Sequence, residues 1–241
     1  MDADELLTGA DPEPGMARAA TVALRRLGAL PIRRPRPARR RPRATAEDPR
    51  FPWRPLLERW SRQWLRFDEY AAELPDDVAE SGWIGYPPAS QQQIAAAEQR
   101  LGVALPPSYR AFLRVSNGWR RTSPFISRLW GAEEIEWLRV RNQELIDIWN
   151  EQPYAVPDEE YFVYGDSQDS VKLRAEYLGS ALEVSDWGDS AIYLLNPQVV
   201  TPDGEWEAWF FASWYPGAGR YRSFWELMQA EYAGFLELRS P

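Results

Sequence analysis

The chain has 241 residues, which is enough for one large domain or two small ones with a sizeable core. Its apolar fraction of 44% and its charged fraction of 27% are ordinary for a soluble globular protein. It contains no Cys and no His, and Lys172 is its only Lys. These absences exclude disulfides, thiol nucleophiles, zinc sites built from Cys or His, and a Ser-His-Asp triad. The composition therefore favours binding over catalysis and predicts neither a cofactor nor a metal.

The sequence contains no candidate membrane segment. No apolar run approaches the roughly 20 residues that are needed to span a bilayer. The first residues include Asp2, Asp4 and Glu5, and no apolar stretch follows that is long enough for a secretory signal. We therefore expect a soluble cytoplasmic protein.

Charge is distributed in blocks along the chain, although the net charge is only −8. Residues 16–43 contain ten Arg and no acidic residue, whereas residues 129–241 contain seven basic and 21 acidic residues. Repeated Pro and mutually repelling Arg predict that residues 1–50 form a disordered arm. Such an arm is either a solvated linker or a contact for nucleic acid or another anionic surface.

The segment 51–82 is predicted to be a helical lead-in rich in Trp. Apolar residues recur there at spacings of four, four and three, which places them on one face of a helix. Pro75 is expected to end this helix. The stripe predicts core packing, with a partner groove as the alternative use of its Trp side chains. It consists of Leu56, Trp60, Trp64 and Phe67, preceded by Trp53.

Two well-marked helices are predicted next. Ser90 and Gln93 form a capping box, and Gly102 supplies a left-handed stop. The pair Pro106-Pro107 begins the second helix, because Pro is favoured in a first turn, and Asn117-Gly118 closes it. The two apolar stripes are Ile94, Ala97, Leu101 and Tyr109, Phe112, Leu113.

The pattern is less regular after residue 118. A third helix is expected from about residue 132 to residue 150, and residues 161–164 are expected to form a short strand. The inward side of this third helix would carry Ile135, Leu138, Leu145, Ile146 and Trp149.

The remaining elements are mainly strands. Residues 181–185 and 191–195 flank a turn at residues 186–189, and Asp203-Gly204 is a second turn that leads into strand 205–212. Helices first, strands next and a helix last is the α+β order. We therefore predict a single domain of class α+β, with a mostly antiparallel sheet flanked by helices. The last helix begins at a capping box of Ser223 and Glu226 and buries Leu227, Met228, Tyr232, Phe235 and Leu236.

Strand 205–212 carries large side chains on both faces. Because such a strand needs cover on both sides, either the chain's own helices or a partner must supply it. One face carries Trp206, Ala208, Phe210 and Ala212, and the other carries Glu205, Glu207, Trp209 and Phe211.

Among the 36 acidic residues, two pairs of loop carboxylates are candidates for catalysis. Asp186 with Asp189, and Asp166 with Asp169, have the spacing of residues that cap backbone amides in turns. A hydrolase that uses carboxylates is the weaker alternative.

A candidate partner surface follows from the Trp residues and the acidic charge. Trp side chains are preferred interface anchors, and an acidic surface favours a basic partner. The candidate residues are Asp186, Trp187, Asp189, Glu205, Glu207, Trp209 and Trp214.

Residues 88–119 resemble the opening of the SUKH superfamily, the Smi/Knr type of domain. That pattern is Ile-x3-Glu-x2-Leu-Gly, then Leu-Pro-x2-Tyr-x2-Phe-Leu and Asn-Gly. The loop at residues 186–189 and the helix start at Ser223 are also similar to this family, so the predicted domain spans residues 83–241. The matching residues are Ile94, Glu98, Leu101, Gly102, Leu105, Pro106, Tyr109, Phe112, Leu113, Asn117 and Gly118.

The resemblance implies an α+β domain that works by binding. Members include fungal regulators of cell-wall synthesis and bacterial immunity proteins that neutralise polymorphic toxins, many of them nucleases. The family has no agreed catalytic residues, and its motif residues are structural. The resemblance thus implies a non-enzymatic protein that occludes a basic toxin domain. The alternative is a regulatory module of the same fold whose arm contacts nucleic acid or an anionic surface.

Overall fold

Seven strands lie in the residues that this computed structural model describes, which are 48–67, 75–123, 125–151 and 154–238. They are β1 (Trp119–Arg120), β2 (Arg128–Leu129), β3 (Glu136–Trp137), β4 (Leu182–Glu183), β5 (Ala191–Val200), β6 (Trp206–Ala212) and β7 (Ala218–Tyr221). β1 pairs with β2, and the other five form an antiparallel sheet in the order β3-β4-β5-β6-β7. This architecture confirms the α+β prediction.

The helices surround this sheet. They are α1 (Trp53–Phe67), α2 (Asp76–Ser81), α3 (Gln91–Leu101), α4 (Pro107–Val115), α5 (Leu138–Arg141), α6 (Gln143–Asn150), α7 (Asp158–Tyr161) and α8 (Phe224–Glu237). Two short 3₁₀ helices span Gly165–Ser167 and Ala175–Ser180. The predicted disordered arm lies outside the described residues apart from residues 48–50. No helix in the described part of the chain is long and apolar enough to cross a membrane.

Helices α1, α4 and α8 cover one face of the five-stranded sheet and form its larger core. Trp53, Trp60 and Trp64 are all buried there, which confirms that the stripe on α1 is core. The Trp53 ring lies 5.2 Å from the Phe112 ring, and its Nε1 donates to the backbone oxygen of Ser108 at 2.9 Å. The side chain of Phe67 lies outside the described residues.

The predicted start and stop of α3 are confirmed. The Gln93 amide donates to Ser90 Oγ at 3.2 Å, and the Ser90 amide donates to Gln93 Oε1 at 2.8 Å. Gly102 ends the helix with φ of +73°, a conformation that costs little only without a Cβ. Pro107 opens α4 as predicted, with Pro106 as its N-cap.

The Asn-Gly pair after α4 joins that helix to the sheet. The Ala132 amide donates to Asn117 Oδ1 at 2.8 Å. Gly118 has φ of +99°, and a Cβ there would lie 2.7 Å from the backbone oxygen of Leu129. A larger residue at position 118 would therefore be both strained and obstructed.

The opposite face of the sheet is covered by α5, α6 and an irregular segment, residues 154–174, which we name the strap. A second apolar core lies beneath them, and it includes Trp209, Phe211 and Leu194. Both faces of β6 are thus covered by the chain's own elements, so a partner is not required for that purpose.

The predicted helix at residues 132–150 is wrong. Residues 136–137 form β3, and the helical part is divided into α5 and α6 at Asn142. Asn142 has φ of −149°, and its Oδ1 accepts from the Leu145 amide at 3.1 Å. Asn at an N-cap stabilises a new helix start, and this cap outweighs a continuous apolar stripe.

The predicted strand at residues 161–164 is also wrong. Its first residue ends α7, whose N-cap is Pro157. Tyr161 and Tyr164 both donate their hydroxyls to Glu207, at 2.7 and 2.8 Å. The two Tyr side chains therefore lie on the same side because they share Glu207 as a partner, and not because the segment is a strand.

Other element predictions are confirmed with adjusted bounds. The two strands predicted around residues 186–189 are β4 and β5, which pair antiparallel, and β5 continues to Val200. The capping box at Ser223 is only half formed. The Glu226 amide donates to Ser223 Oγ at 3.1 Å, but Glu226 Oε2 accepts from the Arg222 amide rather than from Ser223.

The outer edge of β7 is occupied by the strap. The Arg220 amide donates to Gln168 Oε1 at 2.7 Å, and Gln168 Nε2 donates to the Arg220 oxygen at 2.7 Å. The Ala218 amide donates to the backbone oxygen of Ser170 at 3.1 Å. The strap thus supplies the hydrogen bonds that a further strand would make at these residues.

Candidate protein-interaction surface

Three loops that are distant in sequence meet at one end of the sheet. The Asp189 amide donates to the backbone oxygen of Phe125 at 2.9 Å, and the Ser213 amide donates to the oxygen of Ser190 at 3.0 Å. A Cβ at Gly188 would lie 1.7 Å from the Phe125 oxygen, so only Gly allows this approach. These backbone contacts fix the loops relative to one another.

The loops present a cluster of aromatic side chains. The Trp214 ring lies 4.9 Å from Phe125 and 5.9 Å from Phe210, and Tyr215 lies 6.1 Å from Phe210. Trp214 is 49% exposed, and its Nε1 donates to the backbone oxygen of Asp189 at 2.8 Å. We name this the three-loop surface, defined by Phe125, Asp189, Phe210, Trp214 and Tyr215.

Four of the seven predicted partner residues lie at or beside this surface. Asp189 and Trp214 are exposed within it, whereas Asp186 and Trp187 are half-buried on the same loop. Asp186 Oδ1 accepts from the backbone amides of Ser127 and Arg128 at 3.1 and 3.0 Å. Burial raises the pKa of Asp186, and these amides oppose that shift. Asp186 therefore joins two loops.

The side chain of Trp187 turns towards the second core rather than the solvent. Its Nε1 donates to Glu183 Oε2 at 3.3 Å, and its ring packs against the second core. Burial raises the pKa of Glu183, an effect that nearby Arg141 opposes.

Glu205 does not lie on the partner surface, because it is only 3% exposed. Its two carboxylate oxygens accept from the Ser108 amide at 2.8 Å and from the Ser108 hydroxyl at 2.5 Å. Ser108 is in the first turn of α4, where an acidic group complements the helix dipole. Burial raises the pKa of Glu205, and the bonds from Ser108 oppose that shift. The prediction is corrected: Glu205 caps α4.

Glu207 and Trp209 are also buried, at 1% and 0% exposure. Glu207 Oε2 accepts from Trp209 Nε1 at 2.7 Å and from Asn196 Nδ2 at 3.1 Å, in addition to the Tyr161 hydroxyl, while Oε1 accepts from the Tyr164 hydroxyl. A partner cannot reach either side chain in this conformation. Their prediction as contact residues is corrected, because the strap covers this face.

A fully buried ion pair completes this cluster. Arg220 Nη1 lies 3.8 Å from Glu207 Oε1, and both side chains are 0% exposed. The guanidinium also lies 4.3 Å from the centre of the Tyr161 ring and donates to the Tyr161 backbone oxygen. Burial and the adjacent Glu207 raise the pKa of Tyr161 and of Tyr164, so both hydroxyls stay protonated donors. The cluster attaches the strap to the sheet.

Three members of the three-loop surface were not among the predicted partner residues: Phe125, Phe210 and Tyr215. Phe210 lies on the face of β6 that carries Trp206 and Ala208, as predicted, and packs against the larger core, but its side chain is only half-buried. The Pro216-Gly217 turn directly after Tyr215 was the available signal for a surface loop.

Two of the four candidate loop carboxylates contact backbone amides. Asp186 accepts two amides, and Asp169 Oδ1 accepts from the Val171 amide at 3.1 Å. No group of three or more acidic residues suited to a metal ion occurs in the described residues. This geometry supports capping for Asp169 and Asp186.

An α+β domain whose exposed feature is an aromatic surface beside an acidic residue has the character of a protein-binding domain. The sequence model of the SMI1 / KNR4 family (SUKH-1) matches residues 88–230. This match covers more than half of the chain, so the chain belongs to this family, and the resemblance stated above is confirmed. Domains of this family are protein-interaction modules and are generally non-catalytic. No curated protein matches the chain.

The family-motif residues occupy structural positions. Most of them lie on the buried sides of α3 and α4 or in the turns that follow or join these helices. Glu98 also has a structural role. Its Oε1 accepts from the Leu105 amide at 2.9 Å, and its carboxylate forms an ion pair with Arg110. The buried members are Ile94, Leu101, Leu105, Tyr109, Phe112 and Leu113, and the turn members are Gly102, Pro106, Asn117 and Gly118.

Proposed function

We propose that this protein is a non-enzymatic immunity protein that neutralises a toxin by binding it and covering its active cleft. The observation that carries the proposal is the three-loop surface, where a half-exposed Trp214 is supported by three other aromatic rings. Exposed aromatic clusters of this kind are typical of protein interfaces, since they bury a large area with little loss of side-chain entropy.

The charge of the chain supports a basic partner. Asp189 is exposed in the three-loop surface, and residues 129–241 contain 21 acidic and seven basic residues. Nucleases and other proteins that bind polyanions present basic clefts. In such a complex the acidic residues would accelerate association, and burial of Trp214 would slow dissociation.

Co-purification and growth rescue test the proposal together. The tagged full chain would be purified from its own host, and proteins that remain bound in about 0.5 M salt would be identified, because this salt screens purely surface charge. The partner would then be expressed alone and together with the chain. We expect one basic partner that arrests growth alone and is neutralised by the wild-type chain.

Variants decide whether the three-loop surface is responsible. Trp214→Ala should lose rescue and weaken binding by about tenfold or more, which is about 1.4 kcal/mol. Val140→Ala is the matched control, because Val140 is 66% exposed on α5 and outside this surface. A partner without toxicity, or equal rescue by Trp214→Ala and wild type, would contradict the proposal.

A regulatory module is the second candidate function, and the Arg-rich segment 16–43 favours it. In this case the arm would contact nucleic acid or an anionic surface while the domain recruits a protein. Binding of the full chain to a nucleic acid should then fall steeply with salt and disappear when residues 1–50 are deleted. Salt-independent binding, or none, would count against this function.

A further inference from the structure

The strap exposes apolar side chains at a distance in sequence from the three-loop surface. Tyr154 is 60% exposed, Phe162 is 45% exposed and Val171 is 56% exposed. A soluble domain gains no stability from leaving such groups in water, so several of them on one segment point to an interaction.

Two of these side chains contact basic residues. Lys172 Nζ lies 5.4 Å from the centre of the Tyr154 ring and 2.5 Å from Glu160 Oε2. Two residues further on, the Arg174 guanidinium lies 5.5 Å from the centre of the Phe162 ring. Tyr154 and Phe162 are therefore each next to a basic side chain of residues 172–174, and Val171 precedes the first of these in sequence.

The charge of the strap is strongly negative at its surface. It contains five acidic and two basic residues, and both basic residues are already paired, Lys172 with Glu160 and Arg174 with Asp158. The carboxylates of Glu159 and Asp166 are exposed and have no ion pair within the described part of the chain. A partner that meets this surface must supply positive charge.

The strap is held rigidly, although it contains little regular structure. Arg174 donates to the backbone oxygen of Val156 at 2.9 and 2.7 Å, and Tyr161 is buried on Glu207. The Gln168 side chain forms hydrogen bonds with both the backbone amide and the backbone oxygen of Arg220 in β7. A surface that is already ordered loses little conformational entropy when it binds.

We propose that the strap is a second docking surface, and that its occupant is a basic segment of a protein partner in which Arg or Lys alternates with apolar side chains. The carboxylates of Glu159 and Asp166 would pair with the cations, and Tyr154, Phe162 and Val171 would contact the apolar side chains. This surface goes beyond the proposed function, because it does not require the partner to be a toxin. The same negative charge disfavours nucleic acid and anionic lipid.

Peptide binding to the full chain tests this proposal. The probe is a fluorescent peptide in which Arg alternates with Leu, and binding is measured by anisotropy. Replacing Arg by Glu in the peptide should abolish binding, and replacing Leu by Ser should weaken it by about tenfold. In the protein, Glu159→Lys with Asp166→Lys should weaken binding by about tenfold, and Phe162→Ser should also weaken it.

Two matched variants make the result specific. Glu58→Lys changes an exposed acidic residue on α1, which packs on the other face of the sheet, and should bind the peptide like wild type. Trp214→Ala removes the anchor of the three-loop surface and should also leave peptide binding unchanged. Loss of binding in Trp214→Ala, equal loss in Glu58→Lys, or no binding by wild type would overturn the proposal. None of these outcomes bears on the toxin-rescue test.

Discussion

The two faces of the central sheet are covered by different kinds of structure. Helices α1, α4 and α8 cover one face with interlocking rings, such as the edge-on contact of Trp53 with Trp225 at 4.7 Å. The other face is covered by short helices and the strap. Its centre is a buried carboxylate that accepts four hydrogen bonds from neutral donors and faces a buried guanidinium.

The difference shows two ways of covering an apolar sheet. Amphipathic helices bury a continuous stripe, and their stability comes mainly from apolar area removed from water. An irregular segment has no such stripe, so specific polar bonds must hold it in place. The cost is the desolvation of Glu207 and Arg220, which only a nearly complete set of bonds offsets.

The largest expected effect comes from substitutions that break the polar attachment of the strap. Glu207→Met leaves Arg220 buried without a carboxylate and should lower the free energy of unfolding by about 3–5 kcal/mol. Arg220→Met should cost less, because Glu207 keeps its four neutral donors. Arg220 Nε and Nη2 also have no hydrogen-bond partner among the described residues, so their removal loses little. Urea unfolding measures both variants.

Arg62→Met is the matched control, since Arg62 is exposed on α1, which packs on the other face of the sheet. It should remain near wild-type stability. If Arg220→Met proves more destabilising than Glu207→Met, the cation rather than the carboxylate holds the strap, and the comparison of the two faces must be revised.

A second prediction compares the apolar parts of the two faces directly. Leu57 on α1 and Leu178 near the strap are both 0% exposed, one in each core. Either Leu→Ala substitution should lower the free energy of unfolding by about 3 kcal/mol, through lost transfer energy and a residual cavity. Thermal or urea unfolding measures the two changes. A cost below about 1 kcal/mol for Leu178 alone would mean that the second core collapses around the cavity and is loosely packed.

The smallest expected effect concerns an acidic group at the edge of the helical face. Glu231 on α8 accepts from the Tyr193 hydroxyl at 2.5 Å, and burial raises the pKa of Glu231 from 4.5 to about 7. Between these values the folded state binds the extra proton. Stability should therefore fall as pH rises from about 4.5 to about 7 and stay lower above that.

Glu231→Gln should remove this dependence and raise stability at pH 8 by about 1 kcal/mol, a value reduced for partial exposure. Chemical unfolding at pH 5 and pH 8 measures it. Glu237→Gln, an exposed position on the same helix, should leave the dependence unchanged. A Glu231→Gln variant that is less stable than wild type at pH 8 would contradict this prediction, because it would show that the ionised carboxylate stabilises the fold.

The helices of the helical face could be predicted from the sequence, because the residues that mark their ends and buried sides are close together in sequence. Ser90, Gly102 and Pro107 mark helix ends within a few residues, and the stripe on α1 marks its buried side. Ser223 shows the limit of such signals. The Ser223 hydroxyl caps α8 as predicted, but the Glu226 carboxylate accepts from the Arg222 amide instead of the Ser223 amide. A sequence pattern cannot distinguish these two acceptor geometries.

The burial of the two carboxylates near the start of β6 could not be predicted from the sequence, because their hydrogen-bond partners are far away in sequence. Glu205 and Glu207 look like exposed strand residues, since charged side chains are seldom buried without partners. Their partners are Ser108 and the two Tyr residues of the strap, at 97, 46 and 43 residues' separation. The predicted partner surface loses Glu205 and Glu207 for this reason, and it loses Trp209 because the strap covers that face. Asp189 and Trp214 remain exposed in the three-loop surface.

The side chain of Gln168 has a consequence for how this protein can associate. Exposed edge strands are templates on which other chains add strands, and this is a common route to β-augmentation and to amyloid-like assembly. Gln168 occupies both backbone groups of Arg220, and Ser170 occupies the amide of Ala218. The Gln168 carboxamide and the Ser170 carbonyl together close this side of the sheet to strand addition, so proteins that bind here must recognise side chains rather than complete the sheet.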